Sequence, residues 1–309
     1  MINTLKNIMN IPSVSGNEEY LKEYIISEIK NYCDEYYVDN FGNLIVKING
    51  NDETLMINTP MDESGFLITH KEENKLYFAG IGGISPKETV GKFVKAVDGE
   101  AKGIIVADKE INDELKFSDM HIEAFGEAET GDIFALENSI NQLGDNIFGY
   151  ALSRKAGVAV LLEAIKKSYK NNTKTLYFAF SAEDLLGFKG AKVASNVISP
   201  DYTVVITSSC EQKNLTDAKF GGGIAVRIKD NIVITNKAFR KSFTDKFDKN
   251  DIPYQLEIAE KGVFNSEAAY NAGGSQTAVL GYFVKNPDTT YECISIKDIE
   301  NLVKALENL

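Results

Sequence analysis

The chain is poor in the side chains from which metal and redox sites are usually built. Its three cysteines, Cys33, Cys210 and Cys293, are far apart and form no Cys-x-x-Cys pair. Neither a disulfide framework nor a thiolate zinc site is expected, and buried reduced thiols are. There are two histidines, His70 and His121, which read as ordinary surface or half-buried residues. Basic charge is also short: 33 Lys and Arg face 45 Asp and Glu, a formal net charge of -12. That balance opposes adhesion to phosphate backbones and anionic lipid, so neither nucleic acid nor membrane is expected as a partner. No apolar run approaches the about 20 residues of a membrane-spanning helix, and Met1 to Met9 lacks the apolar core and cleavage site of a signal peptide. A cytoplasmic protein is expected.

What is present is ample material for a core. The 309 residues are 43% hydrophobic and 10% aromatic, enough for a large α/β unit with a second domain inserted. Leu21, Tyr24, Ile25, Ile29 and Tyr32 recur at helical spacing behind Ser15 and Asn17. Tyr36 to Asp39 and Leu44 to Ile48 flank Asn40-Phe41-Gly42-Asn43 as a hairpin, and Leu55 to Asn58 reads as a buried strand. From Gly65 to Tyr150 short strand-like runs alternate with Gly and charged turns. Then helix and strand alternate: Gly157 to Tyr169, Thr175 to Phe180, Phe188 to Val197, Thr203 to Thr207, Lys237 to Phe247, Tyr254 to Ile258, Ser266 to Asn271, Thr277 to Phe283 and Ile296 to Leu306. An α/β domain of residues 1–63 and 151–309, interrupted by a β-barrel-like insertion at 64–150, is the simplest organisation.

Six strings run in order along the chain: Pro12-Ser13-Val14-Ser15-Gly16-Asn17-Glu18, Asp39-Asn40-Phe41-Gly42-Asn43-Leu44, Met61-Asp62-Glu63-Ser64-Gly65-Phe66, Leu76-Tyr77-Phe78-Ala79-Gly80-Ile81-Gly82-Gly83, Ala156-Gly157-Val158-Ala159-Val160-Leu161-Leu162-Glu163 and Gly187-Phe188-Lys189-Gly190-Ala191. Together they resemble the tetrahedral-aminopeptidase family, peptidase family forty-two, which includes glutamyl and deblocking aminopeptidases and proteins named as glucanases. The resemblance implies a phosphorylase/hydrolase-like core sheet with flanking helices, a β-rich insertion after the Met-Asp-Glu string, and self-assembly into dimers or larger homo-oligomers.

It also implies two zinc or cobalt ions, and here the residues depart from the pattern. The histidine of the His-Met-Asp string falls on Pro60, the bridging aspartate on Ser153, the second glutamate of Gln-Glu-Glu-Val-Gly on Leu185, and an aspartate at the next strand end on Thr207. The last histidine falls near Asp288. Asp62 is kept, and Asp184 stands at the general-base position. Pro, Ser, Leu and Thr bring neither imidazole nor carboxylate to a divalent ion, so no metal is expected. Asp62 and Asp184 are then expected to be solvated or paired with a cation, with Arg154 and Lys155 nearest in sequence.

The bland alternatives are specific. Glu183 and Asp184 before a helix read as caps favoured by the helix dipole, and Ser153 with Lys155 is not by itself a nucleophile constellation. Two functional readings follow. In the first, the chain is a degenerate metallo-aminopeptidase homologue without peptidase activity, acting in binding, scaffolding or regulation with itself, an active relative or a peptide. In the second, it is a working metal-dependent hydrolase whose centre is rebuilt from Asp62, Asp184, Glu211 and Asp288.

Overall fold

A computed structural model describes residues 1–169, 172–231, 233–260 and 274–309. The expected helix Ser266 to Asn271 lies outside the described residues. The chain opens with α1 (Ile2–Met9) and α2 (Glu19–Ile29), then β1 (Glu35–Val38), β2 (Leu44–Ile48) and β3 (Asp52–Pro60). β4 (Gly65–Glu72), β5 (Lys75–Ile81), the short α3 (Pro86–Thr89), β6 (Phe93–Ala96), β7 (Lys102–Ala107), β8 (Met120–Phe125) and β9 (Ile133–Leu136) follow. The rest alternates: β10 (Asn141–Leu143), β11 (Asn146–Gly149), α4 (Leu152–Ser168), β12 (Lys174–Ser181), α5 (Lys189–Ile198), β13 (Tyr202–Ser209), β14 (Ile224–Lys229), α6 (Lys237–Lys249), β15 (Tyr254–Ile258), β16 (Gln276–Lys285), β17 (Glu292–Ser295) and α7 (Ile296–Glu307).

Eleven strands form one mixed sheet in the order β1-β2-β12-β3-β13-β16-β17-β11-β10, with β14 and β15 beside β16. Its centre, β12, β3, β13 and β16, is parallel. These strands are apolar on both faces because helices cover both. α4 packs among α1, α2 and α7 over one face, around Leu161, Ile57, Phe178 and Ile206, while Ala194 of α5 meets Met56, Ala179 and Val205 on the other. Gly157 sets how closely α4 approaches: a Cβ there would come within 2.2 Å of Thr59 Oγ1 on β3. A larger residue would push the helix, and the site at its N-terminus, away from the sheet.

β4-β5-β8-β7-β6-β9 close into an antiparallel barrel with its own core, including Phe66, Phe78, Ile105, Ile122 and Phe134. The insertion is narrower than 64–150 suggests. β10 and β11 lie inside that range, yet they pair into the large sheet, β11 running antiparallel to β17 from Asn146–Ser295 to Gly149–Glu292. The barrel strands therefore end at Leu136. No helix among the described residues is long and apolar enough to cross a membrane.

Candidate active-site cleft

The carboxyl ends of the central parallel strands meet where open α/β sheets place their ligands. Pro60 is in register with Ser181, and Asn58 with Val205, so Thr207, two residues beyond Val205, stands beside Pro60. The chain leaving β3 carries Asp62 and Glu63, the turn after β12 carries Asp184 and Leu185, and the first turn of α4 carries Ser153, Arg154 and Lys155. Three non-glycine residues here have left-handed backbone: Ala151 (φ 57°), Glu183 (φ 51°) and Asp288 (φ 61°). Each such residue costs on the order of 1 kcal/mol or more, strain of the kind that collects at functional sites.

Asp62 is fully buried. The guanidinium of Arg154 donates to its Oδ1 and, through Nε, to its main-chain oxygen at 3.3 Å. Ser15 Oγ and the Leu185 N–H donate to Oδ2 at 2.5 and 2.8 Å. Lys155 stands beside it, with Nζ 2.8 Å from Glu63 and donating to the Ile11 carbonyl at 2.7 Å. Burial holds the ammonium pKa below its usual value, and Glu63 counters only part of this. Ser153 and Lys155 thus have separate partners.

Asp184 is likewise buried, accepting from Ser181 Oγ and, at 3.1 Å, from the Ala191 N–H in the first turn of α5. It caps that helix. Burial, and then the charge of Asp62, push its carboxyl up to about 7. Gly190 makes the cap possible, since a Cβ there would meet the Ala182 oxygen at 2.1 Å.

Asp288, where the last histidine of the pattern falls, lines the mouth of the cleft. It lies exposed in the turn before β17, and its N–H donates to Glu292 at 3.1 Å. Glu292, four residues on, is buried deeper in the cleft. Its carboxylate accepts from the Ser153 N–H at 2.7 Å and Ser153 Oγ at 2.8 Å, and burial pushes it up to about 7. Sequence reasoning missed this residue. The signal was a lone acidic residue opening the apolar Glu292-Cys293-Ile294 run, all of it buried. Glu211, offered for a rebuilt centre, accepts from the Phe220 N–H at 3.0 Å instead.

The cleft holds a cavity of about 60 Å³ walled by Ser64, Tyr150, Arg154, Leu185, Asp288 and Glu292, large enough for ordered water. As donors for a pair of divalent ions these residues fit poorly. Pro60 and Leu185 carry no donor atom, the Ser153 hydroxyl is turned to Glu292, and both oxygens of Asp62 are engaged. Among the described residues no group of three or more His, Cys, Asp or Glu is arranged to hold a metal.

Residues 42–305 match the family model described as M42 glutamyl aminopeptidase. The chain belongs to this family. It is 33% identical to an Acetivibrio thermocellus protein named only provisionally as an aminopeptidase, over 99% of this chain and 97% of that one. It is 23% identical to the lysyl aminopeptidase of Pyrococcus furiosus, over 99% and 95%. Among solved structures, the Pyrococcus horikoshii TET1 peptidase superposes with a TM-score of 0.90 at 30% identity, covering 99% of this chain and 98% of that one. The M42 fold with its inserted barrel therefore stands as the resemblance implied.

Proposed function

We propose that this M42 member is a non-hydrolytic homologue whose dinuclear metal centre has been replaced by an internal ion pair, and that it acts by binding. The observation that carries this reading is the Arg154 guanidinium seated on Asp62. A buried carboxylate that would face a metal ion is instead neutralised by a cation of the chain itself, and charge balance is reached with no ion added. Without a Lewis acid to polarise a carbonyl and acidify water, hydrolysis at this centre has no nucleophile. Metal content after incubation with zinc or cobalt, together with turnover of aminoacyl chromogenic substrates, tests the proposal.

One observation favours the second reading, a hydrolase with a rebuilt centre. Asp184 and Glu292 both titrate at about 7, where acid and base catalysts work best. Each is committed to a structural hydrogen bond, Asp184 capping α5 and Glu292 holding the start of α4, which is why the binding reading is preferred. Chelator-sensitive turnover would decide for the rebuilt centre.

The TET1 peptidase of Pyrococcus horikoshii can assemble into a tetrahedron or a large octahedral shell. For this chain we propose a homo-oligomer, a dimer at least. An active relative is a second candidate partner. Light scattering at micromolar concentration reads the mass, and a monomer would exclude self-assembly.

A further inference from the structure

The chain passes from the core into the barrel between β3 and β4 and returns after β9. A further tie between the two is not covalent. The turn between β6 and β7 carries Asp98, whose Oδ1 accepts from the Tyr20 hydroxyl at 2.7 Å and whose Oδ2 accepts from Asn17 Nδ2 at 3.3 Å. Tyr20 lies in the first turn of α2 and Asn17 two residues before that helix, so the barrel is fastened to the start of a core helix. Water reaches this contact, since Tyr20 is 45% exposed and Asp98 is exposed as well. One residue before Asp98, Val97 is buried against Val14.

The segment that receives Asp98 also reaches into the cleft. Ser15 Oγ donates to the buried Asp62 carboxylate. The Glu18 carboxylate, itself buried, accepts from the Gly16 N–H at 3.0 Å and from the Glu183 N–H at 2.9 Å, in the turn that carries Asp184 and Leu185. Backbone bonds lay the same segment beside the chain leaving β3: the Ser15 N–H donates to the Glu63 oxygen at 3.1 Å and the Glu63 N–H to the Ser13 oxygen at 2.8 Å. Residues 13–20 therefore alternate in what they hold, Ser15 and Glu18 gripping the cleft and Asn17 and Tyr20 the barrel. The barrel also touches the cleft directly at the end of β5. Gly82 lies so close there that a Cβ would stand 2.3 Å from Ser64 Oγ and 3.1 Å from Leu185 Cδ1, and Ser64 and Leu185 are both walls of the cavity.

We propose that residues 13–20 are a strap that holds the barrel closed over the cleft, with Asp98 as its latch. While the latch is made, Ser15 and Glu18 stay where they order Asp62 and the Glu183–Leu185 turn. When it breaks, the barrel end at Gly82 lifts and that turn loosens with it. The two ends of the strap differ in strength. Hydrogen bonds open to water are worth little net, whereas the bonds to buried Asp62 and Glu18 are costly to leave unmade, so the Asp98 end gives first. Latch and cleft bias each other by the same free energy, which makes the coupling readable from either end. The inference concerns how the cleft is held shut and does not depend on what the cleft binds.

The test is residue-resolved amide hydrogen exchange in the full-length protein. The Glu183 and Leu185 N–H groups, which donate to Glu18 and Asp62, report the cleft, and Val279 and Leu280 within β16 report global opening. Asp98→Ala is expected to speed exchange at Glu183 and Leu185 about fivefold, and Tyr20→Phe, which leaves the Asn17 bond, about threefold. Neither is expected to change Val279 or Leu280. Glu100→Ala, an exposed residue of the same turn, is expected to change neither pair. Unaltered exchange at Glu183 and Leu185 in the Asp98 and Tyr20 variants, an equal acceleration at Val279 and Leu280, or an effect of the same size from Glu100→Ala overturns the proposal.

Discussion

Arg154 donates a hydrogen bond to the buried side chain of Asp62 and a second to its main-chain oxygen, which ties the first turn of α4 to the chain leaving β3. The Lys155–Glu63 pair joins the same two elements, and the charge of Arg154 also bears on Asp184. Removing one member of a buried pair strands the other, so Arg154→Ala is expected to cost about 3–5 kcal/mol in denaturant unfolding. Lys241→Ala breaks the exposed pair with Asp245 and is expected to leave the unfolding midpoint nearly unchanged. Equal effects would mean that the Arg154 pair carries no special weight.

The pH dependence has a defined sign. Asp184 and Glu292 titrate at about 7 in the fold, above their ordinary values of 3.8 and 4.5. The folded chain then holds more protons than the unfolded chain between about pH 4 and pH 7, and these groups make stability fall as pH rises through that window. Above it their effect is constant. Asp184→Asn removes one titration, so its stability is expected to fall less steeply than that of the parent between pH 5 and 7. Urea midpoints at a series of pH values measure the two slopes.

Ser153 holds Glu292 through both its N–H and its hydroxyl. Ser153→Ala keeps the first bond and deletes the second, leaving a buried carboxyl oxygen with one donor fewer. A loss of about 1–3 kcal/mol is expected from thermal or denaturant unfolding, and Ser153→Thr, which keeps the hydroxyl, is expected to lose less.

Restoring the family's donors tests whether Arg154 is the obstacle. Pro60→His, Ser153→Asp, Leu185→Glu and Thr207→Asp together are expected to bind zinc weakly by calorimetry while Arg154 still occupies Asp62. Adding Arg154→Asp is expected to raise affinity sharply. Tight binding without the fifth change would show that the guanidinium yields its place to a metal.

Most of the fold was legible because period and turn chemistry agree along it. The buried runs of β3, β12, β13 and β16, and the stripe of α7, announce themselves in apolar spacing. The β10–β11 hairpin did not: Asn141, Gln142 and Leu143 are all exposed, so nothing in their polarity says which sheet they join, and partners 140 residues or more away decide it. α1 was also overlooked, although Ile2, Leu5, Ile8 and Met9 have helical spacing and the last three are buried. At the site, Asp62, Asp184 and the nearby cations were readable from local strings. Glu292 was not, since its role rests on a contact with Ser153, 139 residues distant.

The central claim is that the chain balances its buried cleft charge internally and needs no ion. The most direct measurement is elemental analysis of the purified full-length protein after incubation with excess zinc or cobalt and desalting. The expected result is substoichiometric metal and background turnover of aminoacyl substrates, unchanged by a chelator. Stoichiometric metal that a chelator removes together with measurable turnover would contradict it.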